Sequence, residues 1–236
     1  MTAPRDDRSQ AAGRDRQSRD CPLCLEPDAP LFFQDRRLYL RCPVCALVFV
    51  PPEHFLSAAA EKAEYDKHEN SPEDPRYRTF LSRLQKPLLE RLSPHSRGLD
   101  FGSGPEPTLS LMFEEADHAM RIYDPFYAAD DSAWQHRYDF ITASEVVEHL
   151  HDPRSELDRL WSCLEPNGLL GIMTKRVIDR AAFSRWHYKD DPTHVCFFSV
   201  ETFRWQATHW QATLDVCGND VVVFGKPDFR DSPNCS

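Results

Sequence analysis

A chain of 236 residues, 41% hydrophobic and 28% charged, carries enough apolar material for one full α/β domain with a small module beside it. Its 38 acidic residues outnumber its 28 basic ones, and the net charge of -10 argues against nonspecific attraction to nucleic acid or to an anionic membrane. No apolar run is long enough to span a bilayer, so a membrane partner is not expected and a small or carrier-bound one is.

Residues 1–19 read as a disordered, solvated arm: the first twenty residues hold five arginines and four aspartates and no apolar run, unlike a secretory signal. A reducing cytoplasm is the expected compartment. Residues 20–52 contain Cys21-x2-Cys24 and Cys42-x2-Cys45, seventeen residues apart. Two such turns, each pointing a pair of thiolates inward, complete a tetrahedral four-sulfur site. The intervening LFFQDRRLYLRC alternates like a hairpin, so the module is expected to be a small zinc ribbon holding structural Zn2+. A rubredoxin-like iron site uses similar knuckles, and disulfides are the weaker alternative because Cys163, Cys196, Cys217 and Cys235 are scattered. Four thiolates leave a metal no open position, which makes its role structural. Arg36, Arg37 and Arg41 read as solvated, although a ribbon bearing them has the means to dock a partner.

Pro51-Pro52 ends the module, and residues 53–94 form a helical connector or cap in which Tyr77, Phe80, Leu81, Leu84 and Leu88 recur at helical spacing. Residues 95–226 then read as an α/β domain. Leu99-Asp100-Phe101 is a short strand, and Gly102 and Gly104 follow in a turn where backbone can approach a ligand closely. A second strand, 121–124, ends in Asp124, placed to accept hydrogen bonds from ribose hydroxyls. A strand over 138–143 and a turn with a strand over 164–174 come next. Ser199 begins a helix without a full capping box, with Phe203 and Trp205 expected in the core. The end alternates around Gly218-Asn219 as an antiparallel hairpin, and 227–236 is a polar tail.

These motifs, in this order, resemble those of class I S-adenosylmethionine (SAM) dependent methyltransferases over residues 75–225. The resemblance implies a Rossmann-like α/β sheet closed by the C-terminal hairpin, SAM as methyl donor, and cofactor contacts at Asp100, Gly102, Ser103, Gly104, Asp124 and Ser144. A phosphate-binding loop of the Walker type would need a lysine and a Ser/Thr after its glycines, and both are missing. Two features depart from the family. Glu106 stands where a third glycine is common, and only fourteen residues separate Asp124 from Asp139. So short a connection leaves little room for a regular third strand and shifts the expected adenine contacts to Asp130, Asp131 or Trp134.

Residues just after the parallel strands face one crevice, among them Ser144, Glu145 and Thr174. If Glu145-x-x-Glu148-His149 begins a helix, its three side chains share one face. Glu145, His149 and His194 are the candidate catalytic residues. With Glu148 they are also candidate ligands for a divalent ion such as Mg2+, as in certain class I families, while other relatives use Glu-His to shape an acceptor pocket. Trp186, His187 and Tyr188 either wall the acceptor or pack onto the sheet. The expected activity is methyl transfer to an oxygen, nitrogen or carbon of a small metabolite or biosynthetic intermediate. An RNA methyltransferase that docks its substrate through the ribbon and a noncatalytic SAM-binding scaffold are the alternatives.

Overall fold

The computed structural model describes residues 19–67 and 70–228; the expected arm before residue 19 and the end of the polar tail lie outside the described residues. Its elements, in chain order, are β1 (Leu31–Gln34), β2 (Leu38–Arg41), β3 (Val48–Phe49), α1 (Ala58–Tyr65), α2 (Pro75–Leu89), β4 (Arg97–Phe101), α3 (Thr108–Glu114), β5 (Ala119–Tyr123), β6 (Tyr138–Ser144), α4 (Pro153–Ser162), β7 (Leu164–Met173), α5 (Arg180–Ser184), β8 (Cys196–Phe197), α6 (Val200–Trp210), β9 (Thr213–Cys217) and β10 (Val221–Gly225). No helix among the described residues is long and apolar enough to cross a membrane.

The larger sheet has the order β5-β4-β6-β7-β10-β9. Its first four strands run parallel, and the C-terminal hairpin adds β10 and β9 antiparallel. Central strands of such a sheet are covered on both faces, which is why they read as continuous apolar runs. In β10, Val221 and Val223 join Leu84 and Leu88 of α2 and Phe113 of α3 on one face. Val222 and Phe224 join Leu157 and Leu160 of α4 and Phe203 and Trp210 of α6 on the other.

β5 is an edge strand, so the short stretch before Asp139 holds no third strand. It folds instead as a 3-10 turn, Asp131–Gln135, whose Trp134 ring lies 4.5 Å from Tyr123 and 6.0 Å from Phe101, with the Arg159 guanidinium 3.7 Å above it. One local expectation is overturned: Ser199 does have a full capping box. Its Oγ accepts from the Thr202 amide at 3.1 Å while Thr202 Oγ1 accepts from the Ser199 amide at 3.2 Å, threonine taking the place usually held by Glu or Gln.

The smaller sheet has the order β1-β2-β3-β8, and its last strand comes from the far end of the chain. Val48 pairs with Phe197 and Phe49 with Cys196, and the Val50 amide donates to the Val195 carbonyl at 2.8 Å. The N-terminal hairpin is thereby built into the segment that follows β7. Phe32, Phe33 and Tyr39 surround the buried ring of Phe183 with centroids 5.4, 5.9 and 5.1 Å away.

Arg37 is not a solvated residue. Its guanidinium donates to four backbone carbonyls of the opposing loop: Lys189, Asp191 at 2.9 Å, Pro192 at 3.2 Å and His194 at 3.1 Å. The Tyr39 hydroxyl donates to the Lys189 carbonyl at 3.0 Å, and the Lys189 ammonium pairs with Asp35 at 2.6 Å. Loop carbonyls with no ladder partner need donors from elsewhere, and a planar fork with five N–H groups supplies several from one side chain.

Arg37→Ala should therefore speed amide exchange across residues 189–195 in mass-spectrometric hydrogen-exchange measurements, and should lower stability by about 2 kcal/mol in denaturant melts. Arg37→Lys should not restore protection, because one ammonium cannot reach all four carbonyls. Wild-type exchange rates in Arg37→Ala would mean that the β3–β8 pairing alone holds the loop.

Candidate functional site

A cavity of about 490 Å³ opens at the carboxyl ends of β4, β5 and β6, roofed by residues of α1 and α2. Its floor is the turn after β4. Gly102 and Gly104 both have left-handed backbone, with φ of 72° and 66°. A Cβ on Gly102 would lie 2.4 Å from Val146 Cγ2, whereas one on Gly104 would meet no atom of the chain within 4 Å. Gly104 thus presents bare backbone to the open space.

Asp124 pins this turn. One of its oxygens accepts from the Gly104 amide at 3.0 Å, and the other accepts from the amides of Phe126 at 2.8 Å and Tyr127 at 3.1 Å. A carboxylate has about four acceptor sites, so it retains capacity toward the cavity it lines. Ser103 and Ser144 line the cavity too. Asp100 does not. It is buried beneath the turn, where Thr142 donates to it at 2.7 Å and Ser110 at 3.2 Å, and burial pushes its carboxyl up to about 6. It ties α3 and β6 to β4. Of the residues expected near adenine, Trp134 covers the sheet edge and neither Asp130 nor Asp131 lines the cavity; Pro125, Phe126 and Tyr127 do. The aromatic pair just behind the strand-end carboxylate was the signal for them.

Glu145, Glu148 and His149 do not share a helix face. Glu145 has left-handed backbone (φ 52°) with its amide bonded to the Met173 carbonyl at 2.7 Å, and only Val147–His149 forms a single 3-10 turn. Glu145 and His149 line the cavity, while Glu148 turns into the core and is fully buried. The Tyr188 hydroxyl hydrogen-bonds Glu148, and it lies 3.3 Å from both Glu145 and Thr174. Burial pushes the Glu145 carboxyl up to about 7 and that of Glu148 up to about 8, with Glu145 raising the latter further. Tyr188 and Trp186 stack on each other at 4.9 Å, and Trp186 packs against Phe183 and Phe197; neither they nor His187 line the cavity. Phe203 is buried as expected, and Trp205 is half-buried against His209.

His194 does line the cavity. Its Nδ1 sits 2.7 Å from the Tyr188 carbonyl, which only accepts, so Nδ1 carries the proton and Nε2 the lone pair of the neutral ring. Nε2 makes no hydrogen bond among the described residues and lies 3.8 Å from Asp191. Burial lowers the imidazole's pKa. The His149 ring is 4.7 Å away. Glu148, His149 and His194 bring ligand atoms within 4.8 Å of one another, and Glu145 is not of that group. Two imidazoles and one carboxylate already bonded to Tyr188 are not the oxygen-rich set that Mg2+ takes, so the expected Mg2+ finds no support. From α1, Tyr65 covers His149 edge-on at 5.2 Å and donates to Glu61 at 2.7 Å; Tyr77 and Phe80 complete the roof from α2.

Cys21, Cys24, Cys42 and Cys45 converge on two turns of matching design. The Leu25 amide bonds the Cys21 carbonyl at 3.0 Å as Ala46 bonds Cys42 at 3.1 Å, and both Leu25 and Ala46 are left-handed. Amides of Val44 and Cys45 point at Cys42 Sγ, each at 3.4 Å. The sulfurs lie 3.3 Å apart at the closest and all within 4.8 Å, a range that brackets the edge of about 3.8 Å set by a tetrahedron with Zn–S near 2.3 Å. The four thiols suit a tetrahedral metal ion.

Residues 74–214 match the model of a family described as a methyltransferase domain. No curated protein matches the sequence. Among solved structures, the chain is similar to 1,6-didemethyltoxoflavin-N1-methyltransferase of Burkholderia thailandensis, determined with 1,6-didemethyltoxoflavin and S-adenosylhomocysteine bound. The two are 14% identical, the match covers 85% of this chain and 100% of that one, and the TM-score is 0.50. A SAM dependent methyltransferase from Archaeoglobus fulgidus is 15% identical over 70% of this chain and 99% of that one, also with a TM-score of 0.50. Likeness at such identity speaks to the fold, and the family match covers more than half of the chain: this protein belongs to the methyltransferase-domain family and has the Rossmann-like fold of the class I SAM-dependent methyltransferases.

Proposed function

We propose that this chain moves the methyl group of SAM to a nucleophilic atom of a small molecule held between the strand ends and the α1–α2 roof. The observation that carries the reading is the Gly102–Gly104 turn, pinned by Asp124 and bare toward the cavity. Gly102, Ser103 and Gly104 would hold the methionine part, Asp124 would accept from the ribose hydroxyls, Phe126 with Tyr127 would flank the adenine, and Ser144 would meet the cofactor from the end of β6. SAM supplies a methyl group activated by its positive sulfur. What the chain adds is alignment of the acceptor, exclusion of water and a base where the acceptor must lose a proton. His194 suits the base role, because Nε2 keeps its lone pair while Nδ1 is committed to the Tyr188 carbonyl. A net charge of -10 favours a small acceptor over RNA.

The four cysteines would hold Zn2+, which closes the hairpin carrying Arg37 and does no chemistry on the substrate.

S-adenosylhomocysteine should bind in calorimetric titrations, and Asp124→Ala should weaken it by about tenfold or more without changing the far-ultraviolet circular dichroism. Gly104→Val should do the same by filling the ligand's space and straining the turn. A folded protein that does not bind S-adenosylhomocysteine would sink the reading. In nitrogen-detected NMR, His194 should show the tautomer protonated at Nδ1 and titrate below the ordinary histidine value, since burial disfavours its cation. Elemental analysis should find one zinc per chain, and Cys42→Ser should lose it together with protection of residues 189–195 in hydrogen exchange.

A further inference from the structure

We propose that the methyl acceptor is an amine that enters as its ammonium ion; this rests on the reading of the cavity as the methyl-transfer site. Among the described residues, those lining the cavity include no lysine or arginine, yet they include four carboxylates: Glu61, Asp124, Glu145 and Asp191. Asp124 is committed to the turn after β4. The other three come from separate parts of the chain, α1, the end of β6 and the loop before β8, and converge on the acceptor side.

Glu61 accepts from Tyr65 at 2.7 Å and has His151 Nε2 3.9 Å from its other oxygen, while the hydrogen bonding of Glu145 and Asp191 is incomplete. Glu145 Oε1 is buried without a partner. Asp191 Oδ1 accepts from the Thr193 amide at 2.9 Å and the Thr193 hydroxyl at 2.6 Å, while Oδ2 has only the long contact to His194. Burial would raise the Asp191 carboxyl, but the bonds from Thr193 outweigh it and hold the group below the usual carboxylate range. His194 is 7% exposed, lines the same space and leaves Nε2 unbonded. Burial already favours the protonated form of Glu145, and enclosed negative charge such as that of Asp191 is costly unless a cation meets it. The nearest cations lie outside the lining: Lys175 sits over the Tyr188 ring at 5.0 Å and Arg83 over the Phe80 ring at 4.2 Å, both lowering the Glu145 carboxyl without offsetting its burial, and Arg37 is spent on backbone carbonyls. The rings of Tyr65 and Tyr77 line the same space and suit an ammonium group. A phosphate or carboxylate substrate would meet these acids and, among the described lining residues, no lysine or arginine.

An ammonium nitrogen has no lone pair, so a base must act before the methyl can move. His194 Nε2 takes one proton, and Asp191 at 3.8 Å stabilises the resulting imidazolium. The freed lone pair attacks the sulfonium methyl carbon. The C–N bond forms as the C–S bond breaks, and the electrons of the broken bond return to sulfur. The product leaves as a methylated ammonium ion, and the proton on His194 passes to solvent.

The test is calorimetry on full-length protein saturated with S-adenosylhomocysteine. Two sets of probes share a body and differ in head group: tyramine, tyrosol and hydroxyphenylacetate; butylamine, butanol and butyrate. At least one amine should bind about tenfold more tightly than its alcohol and its acid, and Glu61→Gln and Asp191→Asn should each weaken it about fivefold while leaving the S-adenosylhomocysteine Kd unchanged. The proposal is overturned if no amine outbinds its counterparts, or if both variants bind the amine as well as wild type. Failure of S-adenosylhomocysteine itself to bind is a separate result and defeats the methyltransferase reading instead.

Discussion

The interaction on which the site depends is the fork of Arg37 against the carbonyls of residues 189–194. The segment between β7 and β8 brings Asp191 and His194 to the cavity with little regular structure of its own: one short helix and a 3-10 turn. Such a segment has unpaired carbonyls and no intrinsic preference for one conformation. Arg37 satisfies four of them at once, and the Tyr188 carbonyl, just outside the fork, receives the His194 ring. The position of the imidazole is thus set by a residue more than 150 positions earlier in the chain. The fork is held in turn by a hairpin whose ends are closed by the paired cysteine turns.

A second constraint is the Asp124 carboxylate. Its bonds to the amides of Gly104, Phe126 and Tyr127 lock the turns after β4 and β5 into one unit. Asp100 works below them, buried and bonded to Thr142 and Ser110, so that two carboxylates at successive strand ends divide the work. One shapes the surface of the cavity and the other braces the strands under it. Their pattern in the sequence is similar, and burial separates them.

The cavity itself is acidic and aromatic. Carboxylates whose burial would be unfavourable in isolation gather around Tyr65 and His194, each held by bonds from its own segment. Tyr188 takes a comparable role in the core, its hydroxyl bridging Glu148, Glu145 and Thr174, so that two raised carboxyls share one donor. Among the described residues lining the cavity, acidic side chains are thus present and lysine and arginine are not.

Much of this was legible in the order of residues. The parallel strands, the glycine turn, Asp124, the closing hairpin and the four-cysteine turns are local patterns, in which a few neighbouring residues dictate backbone or ligand geometry. The shortness of the stretch between Asp124 and Asp139 likewise left no room for a third strand, and the sheet ends at β5. What depends on distant segments meeting was not legible. The pairing of β3 with β8, the fork of Arg37 and the descent of Glu148 into the core all arise where distant segments are brought together by burial of apolar area, which is nondirectional and leaves no periodic trace. Glu145 makes the same point at the scale of one residue. A helix was the economical reading of Glu-x-x-Glu-His, and the Glu145 amide bond to Met173 on the neighbouring strand holds the chain in a left-handed turn instead. Sequence by itself determined the class of the protein, because motif spacing is local chemistry; the tertiary structure decided which carboxylates and imidazoles meet, because that is a matter of long-range packing.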